Sequence, residues 1–252
     1  MYAHRGGAAL RPENTIAAFD HGLSLGADGL EFDVHLSRDG AAVVHHDTTL
    51  DRTTNGRGPI AAHTAAELDQ IDAGYHFEAP GGAGEYPFRG QGFGIPRLRD
   101  VLARYPGIPL IIELKSPEPA LAQRVVDDIR AADAIERVAL GSFYWRALNH
   151  AREDEPRIRT GSSREETRWL LYRSRLRWPP KRTAFQELQV PETVGRTVVV
   201  SPRLVRDAHR AGLPVKVWTV NEAEDMRRLL DWGVDALISD RPDIAAGIVA
   251  RL

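Results

Sequence analysis

The sequence predicts an α/β protein folded as a (β/α)8 TIM barrel, with a small insertion between the second strand and the helix that follows it. Three observations predict it. Eight short β-like runs alternate with helical stretches, the order that builds a parallel sheet. The C-terminal half repeats a unit of helix, Gly and short loop before each strand, as βα units require. The length, 252 residues, suits one barrel of this kind as well as two ordinary domains. A doubly wound sheet shares the alternation, because sequence pattern alone does not reveal closure.

The strands are expected at Tyr2 to His4, Gly29 to Val34, Pro109 to Leu114, Val138 to Ser142, Arg157 to Gly161, Phe185 to Val190, Val215 to Val220 and Ala236 to Ser239. The first helix, Glu13 to Leu25, sets Ile16, Phe19 and Leu23 on one face. Glu118 to Ala132 does the same with Leu121, Val125 and Ile129. Ser201 caps a helix over Pro202 to Ala211 that starts with proline and stops at Gly212. Asn221 is expected to cap the next, Glu222 to Trp232, which stops at Gly233.

The stretch between Val34 and Pro109 is too long for one helix. Asp39-Gly40 marks a turn, and Ala42 to His46 reads as a return strand forming a hairpin with the end of the second strand. Turn formers fill Thr48 to Pro59, and Ala79 to Pro96 is rich in Gly and Pro, with Gly90 to Gly94 read as a loop. Pro96 to Tyr105 resumes the barrel as a helix. Residues 1–252 are therefore expected to form a single catalytic domain, with residues 36–95 an insertion over one mouth.

Composition narrows the chemistry. The chain has no cysteine, which excludes disulfides, thiolate metal sites and a thiol nucleophile. A net charge of −2 argues against nucleic acid as a partner. No apolar run approaches a membrane span, and the N-terminus shows no apolar leader, so a soluble cytoplasmic protein is expected. Of 33 basic residues only three are lysine, which draws attention to Lys115.

Barrel active sites lie at the C-terminal ends of the strands. The first strand ends in His4-Arg5, the second carries Glu31 and Asp33, the third carries Glu113 and Lys115, and the return strand ends in His45-His46-Asp47. Residues two apart on a strand face the same side, so Glu31 pairs with Asp33 and Glu113 with Lys115. Three converging carboxylates repel one another unless a cation joins them, and oxygen ligands suit Mg2+ or Ca2+ better than zinc. His4 and His46 titrate near neutrality and suit acid–base work. Arg5 and Lys115 suit a phosphate. Together these residues describe a phosphate-ester site. Trp218 either packs on the substrate or is a core aromatic at the barrel mouth, and Gln189 is a candidate hydrogen-bond donor to substrate.

A resemblance follows from motifs in order along nearly the whole chain. His4-Arg5-Gly6, Pro12-Glu13-Asn14-Thr15, Glu31-Phe32-Asp33-Val34, Asp39-Gly40, Val43-Val44-His45-His46-Asp47, Leu50-Asp51-Arg52-Thr53-Thr54, Gly58, Ile112-Glu113-Leu114-Lys115, Trp218-Thr219-Val220-Asn221 and Gly233 to Pro242 together resemble the glycerophosphodiester phosphodiesterase family. The resemblance implies metal-dependent hydrolysis of a glycerophosphodiester to glycerol 3-phosphate and an alcohol. Carried over by position, it makes His4 and His46 the acid–base pair, Glu31, Asp33 and Glu113 the metal ligands, and Arg5 and Lys115 the phosphate contacts. It selects His46 over His45 because the histidine directly before Asp is the one that matches, and strand alternation lets only one of the two enter the site. Two departures stand out: the lead before His4 is short, and Pro96-Arg97-Leu98-Arg99-Asp100 replaces a usual Pro-Thr-Leu-x-Glu.

Other readings stay open. One is phospholipase D-like action on lysophospholipids in the same barrel. It draws on the basic, aromatic segment Arg164 to Arg182, which could lie on a membrane surface but reads first as a solvated helix with an aromatic packing stripe. A glycoside hydrolase using Glu31 and Glu113, or a non-catalytic barrel that binds phosphodiesters or a protein partner, are the others.

Overall fold

A computed structural model describes residues 1–82, 84–176 and 182–251. The strand order explains the whole architecture. Strands β1 (Tyr2–His4), β2 (Gly29–Leu36), β4 (Leu110–Leu114), β5 (Val138–Gly141) and β6 (Arg159–Thr160) pair in parallel on one side. On the other side β1 pairs with β11 (Ala236–Ser239), then β10 (Val215–Trp218) and β7 (Leu188–Pro191), also in parallel. The open ends meet through a parallel bridge between Gly161 and Glu187, reinforced by the Gln186 N–H donating to the Thr160 carbonyl at 3.0 Å. The sheet thus closes into the expected (β/α)8 barrel, with β3 (Ala42–Val44) antiparallel on β2 as the return strand of the hairpin.

A parallel strand covered on both faces must be apolar on at least one of them. Leu30, Phe32 and Val34 of β2 point outward into the helical layer and are fully buried. There Phe32 meets Phe19 of α1 (Ile16–Ser24) with ring centroids 5.3 Å apart, and Tyr105 closes on Phe19 at 6.1 Å. The alternate residues of β2, Glu31 and Asp33, point into the barrel. The apolar part of that interior is small: Ile111, Ala139 and Ile238, with Tyr2 and Trp218 packed on them.

Helix α1 begins at Ile16, after the hydroxyl of Thr15 accepts the Ala18 N–H, so Glu13 and Asn14 belong to the loop rather than to the expected first turn. The β1–α1 loop lies tight on the helix: Gly6 has φ +86°, and a Cβ there would sit 2.7 Å from Ala18. Ser201 caps α7 (Pro202–Arg210) as expected. Asn221 does not cap α8 (Ala223–Asp231). Its carboxamide turns instead to Asp240, donating from Nδ2 to Oδ2 at 2.8 Å and accepting the Asp240 N–H at 2.9 Å. Tying the loop after β10 to the end of β11 satisfies both halves of the amide, which a cap would not.

Residues 36–95 carry a satellite core of their own, Val43, Leu50, Ile60, Leu68 and Ile95, around the short helix α2 (Ala65–Asp69) with its Thr64–Glu67 capping box. The segment from Arg164 departs from the expected packing stripe. In α6 (Arg164–Arg175) the face turned inward is Leu170 and Ser174, whereas Trp169 and Tyr172 are exposed, with Arg173 stacked on Trp169. Arg177 to Lys181 lie outside the described residues. Among the described residues no helix is long and apolar enough to cross a membrane.

The two histidines that follow β3 turn apart. His45 turns to the satellite core and donates from Nε2 to the Thr49 carbonyl at 3.2 Å, while His46 turns to the barrel mouth. Burial holds the His45 imidazole below its ordinary pKa, so the fold favours its neutral form. A group depressed in this way stabilises the fold above its unfolded pKa and loses that contribution as pH falls. The His45 share is read as a difference: the thermal midpoint of the native chain relative to that of His45→Gln is expected to fall between about pH 7.5 and 5.5. The packing analysis makes a second prediction. Phe32→Ala should cost about 3–5 kcal/mol by urea unfolding, and Tyr172→Ala on the exposed face should stay within about 0.5 kcal/mol.

Candidate active site

Register brings the acids together. In the parallel ladders His4 lies beside Glu31, and Asp33 lies beside Glu113. One ligand oxygen from each of Glu31, Asp33 and Glu113 falls within 4.8 Å of the others. Two cations bracket them. Lys115 Nζ is 3.3 Å from both Asp33 Oδ1 and Glu113 Oε1, and Arg5 Nε is 3.2 Å from Asp33 Oδ2. Asn14, itself buried with φ +60°, donates from Nδ2 to Asp33 Oδ2 at 3.0 Å.

The electrostatics follow from burial. Loss of water pushes the Glu31 carboxyl up to about 8, and the nearby charges of Asp33 and Glu113 add to this against the attraction of His4. Burial and Asp33 together push Glu113 up to about 7. Burial acts on Asp33 in the same sense, but Lys115 and Arg5 outweigh it and hold that carboxyl below its ordinary value. Among the described residues, the buried side-chain atoms without a hydrogen bond are Arg5 Nε and Asp33 Oδ1. Both belong to this cluster. They lie at ion-pair distance from their neighbours without the alignment a hydrogen bond needs. Three carboxylates, Glu31 and Asp33 buried and Glu113 partly so, with one oxygen that lacks a hydrogen bond, form a donor set that fits a hard divalent cation.

Each histidine on the cluster's rim is held by a carboxylate through Nδ1. His4 Nδ1 is 2.6 Å from Asp240 Oδ1, and His46 Nδ1 is 2.6 Å from Asp47 Oδ1. Asp240 and Asp47 are both held below the ordinary carboxylate range, each against its burial: Asp240 chiefly by His4, Asp47 chiefly by Arg52 and His46. An ionised carboxylate only accepts, so Nδ1 carries the proton in both rings and Nε2 is left to face the site. His4 Nε2 points at Glu31, 3.7 Å away. Burial works against the charged form of His4, but Glu31 and Asp240 outweigh it and raise the imidazole above its usual pKa. Burial dominates at His46 and lowers it. The strand end carrying His46 is fixed beside the acids because the His45 N–H donates to the Asp33 carbonyl at 3.0 Å.

Two further candidates lie in the barrel interior. Trp218 ends β10, sits on Ile111, Ala139 and Ile238, and meets Phe143 edge-on at 5.7 Å. Gln189 donates from Nε2 to Glu187 Oε1 at 2.7 Å, and its carbonyl lies over Gly141, the register partner of Glu113. A Cβ at Gly141 would come within 2.5 Å of that oxygen, so glycine makes the room. Glu187 also pairs with Lys216 at 2.8 Å, which commits that lysine to the interior.

Sequence reasoning passes over Asn14, Asp47, Asn221 and Asp240 as site residues, although all four stand in the family motifs. Each touches a site residue through a contact that spans chain segments or closes within a loop. For Asp47 the adjacent His46 is a usable signal. For Asp240, 236 positions from His4, only closure of the barrel supplies one.

The chain matches the model of the glycerophosphoryl diester phosphodiesterase family over residues 4–244. It is 33% identical over 254 residues to the glycerophosphodiester phosphodiesterase of Caldanaerobacter subterraneus subsp. tengcongensis, covering 100% of this chain and 98% of that one. Among solved structures, the glycerophosphodiester phosphodiesterase of Agrobacterium tumefaciens aligns with a TM-score of 0.79 at 29% identity over 98% of each chain. An Oleispira antarctica phosphodiesterase, solved with the product sn-glycerol-3-phosphate, aligns at 0.78 and 28% identity over 99% of this chain and 96% of that one. From the motifs, the closed barrel and these matches, the chain belongs to the glycerophosphoryl diester phosphodiesterase family.

Proposed function

We propose that this protein hydrolyses glycerophosphodiesters to glycerol 3-phosphate and an alcohol, with Glu31, Asp33 and Glu113 holding a divalent cation, Mg2+ or Ca2+, and His4 and His46 moving the protons. The observation that carries the reading is the grouping at one strand-end cluster of three acids, two of them buried, with two cations and two carboxylate-held imidazoles. A cation bound there supplies positive charge at the phosphoryl oxygens, as a Lewis acid does.

The chain's own groups divide the remaining work. Arg5 and Lys115 bind the phosphate and balance the charge that grows on its equatorial oxygens. In hydrolysis a water oxygen bonds to phosphorus while the bond from phosphorus to the alcohol oxygen breaks. One imidazole accepts the water proton at Nε2, and the other donates its Nε2 proton to the departing alkoxide. Asp240 and Asp47 hold the two rings in the tautomer that leaves Nε2 available. In this reading Trp218 and Gln189, on the neighbouring strands β10 and β7, contact the glycerol or the head group.

Two measurements test this reading. Treatment with EDTA should abolish turnover of glycerophosphocholine, and added Mg2+ or Ca2+ should restore it and raise the thermal midpoint. Full activity after chelation would remove the metal from the mechanism. Separately, His4→Ala and His46→Ala should each lower kcat by about 10²–10⁴-fold with the circular dichroism spectrum unchanged. Near-normal kcat in either variant would end that histidine's role.

A further inference from the structure

Glu13 and Arg52 belong to neither the acid cluster nor a His–Asp pair, yet they are not independent surface charges. Asp47, which holds His46 through Oδ1, accepts Arg52 Nε on its other oxygen at 2.5 Å. The two terminal amines of Arg52 then grip Glu13, at 2.7 Å to Oε1 and 3.0 Å to Oε2. Glu13 Oε1 accepts a second bond, from Arg5 Nη1 at 3.0 Å, and Arg5 leads to Asp33. From His46 an unbroken sequence of alternating charge thus runs through Asp47, Arg52, Glu13 and Arg5 to Asp33.

The chain of contacts links parts of the protein that strand pairing leaves separate. Arg5 and Glu13 lie in the β1–α1 loop, and Asp47 and Arg52 lie in the loop after β3. Only a guanidinium serves at the junction. Its planar fork offers donors in several fixed directions, so it takes two carboxylate oxygens of Glu13 and one of Asp47 together. An ammonium is a point charge without that fork. Arg52 itself keeps 49% of its side chain exposed, where ion pairs add little stability. Its contribution is therefore geometric.

We propose that Arg52 is a positioning residue for His46: bridging Asp47 and Glu13, it fixes the imidazole relative to Arg5 and the acid cluster without touching a reacting atom. This rests on the reading of His46 as a proton-transfer group. The lowered pKa values of Asp47 and Glu13 agree with carboxylates that stay ionised in such a bridge.

The test is a double-mutant cycle on glycerophosphocholine turnover, with the thermal midpoint followed in parallel. Arg52→Gln should lower kcat by about 10–100-fold, the scale of a misplaced catalytic group, with KM within about 3-fold and the midpoint nearly unchanged. Arg52→Lys should not restore kcat. In a His46→Ala background, Arg52→Gln should cost less than about 2-fold, because the group it orients is gone. An unchanged kcat in Arg52→Gln overturns the proposal, and so does the same fold loss in both backgrounds. The single variant His46→Ala keeps the two failures apart. If it retains normal turnover, the role of His46 falls and the proposal with it. If it is crippled while Arg52→Gln remains fully additive, only the role of Arg52 falls.

Discussion

Three carboxylates pressed together at the ends of β2 and β4 are the constraint on which the rest of the site depends. Each would lose several kcal/mol of hydration on burial, and each repels the other two. The outward-facing residues of β2, Leu30, Phe32 and Val34, are apolar and offer nothing to offset this. The compensation comes from strand ends and the loops that follow them: Arg5 and Asn14 from the β1–α1 loop, Lys115 from just beyond β4, and His4 from the end of β1. The β1–α1 loop lies so close to its helix that Gly6 admits no side chain, and this close approach carries Arg5 and Asn14 to Asp33.

The same charge problem accounts for the outer ring of polar contacts. Arg5 answers both Asp33 and Glu13, Glu13 answers Arg52, and Arg52 answers Asp47. On the opposite side Asp240 answers His4 and is itself held by Asn221. Two histidines therefore enter the mouth under similar control but in different surroundings. His4 lies against the acids, and their field raises it. His46 stands where burial prevails, and it is lowered. A pair of imidazoles whose environments separate their proton affinities suits the acid–base roles proposed for them.

Much of the scaffold is legible in the amino-acid order alone. Period-two alternation places Glu31 with Asp33, and Glu113 with Lys115, on one face, because side-chain direction along a strand is a local property. The helix start at Ser201 and Pro202 is legible for the same reason. Local signals fail where a side chain has a better partner elsewhere. Asn221 stands at a plausible cap position, but Asp240 offers both a carboxylate and a backbone N–H, and the amide goes there. Trp169 and Tyr172 carry a helical spacing that suggests packing, yet the face of α6 that meets the core belongs to Leu170 and Ser174.

By itself the sequence determined the alternation of strands and helices, the chemical types at each strand end, the absence of thiol chemistry and the family to which those motifs belong. These follow from residue identity and short spacing. The tertiary structure decided what depends on the closing of the sheet. It set the Asp33–Glu113 register, the His4–Asp240 pair across 236 positions, and the bridge from Arg52 to Glu13. The physical reason is one of range. A strand's pattern is set by neighbours one or two residues away, whereas ion pairing of buried charge is settled by whichever opposite charge the fold brings within about 4 Å, whatever its place along the chain.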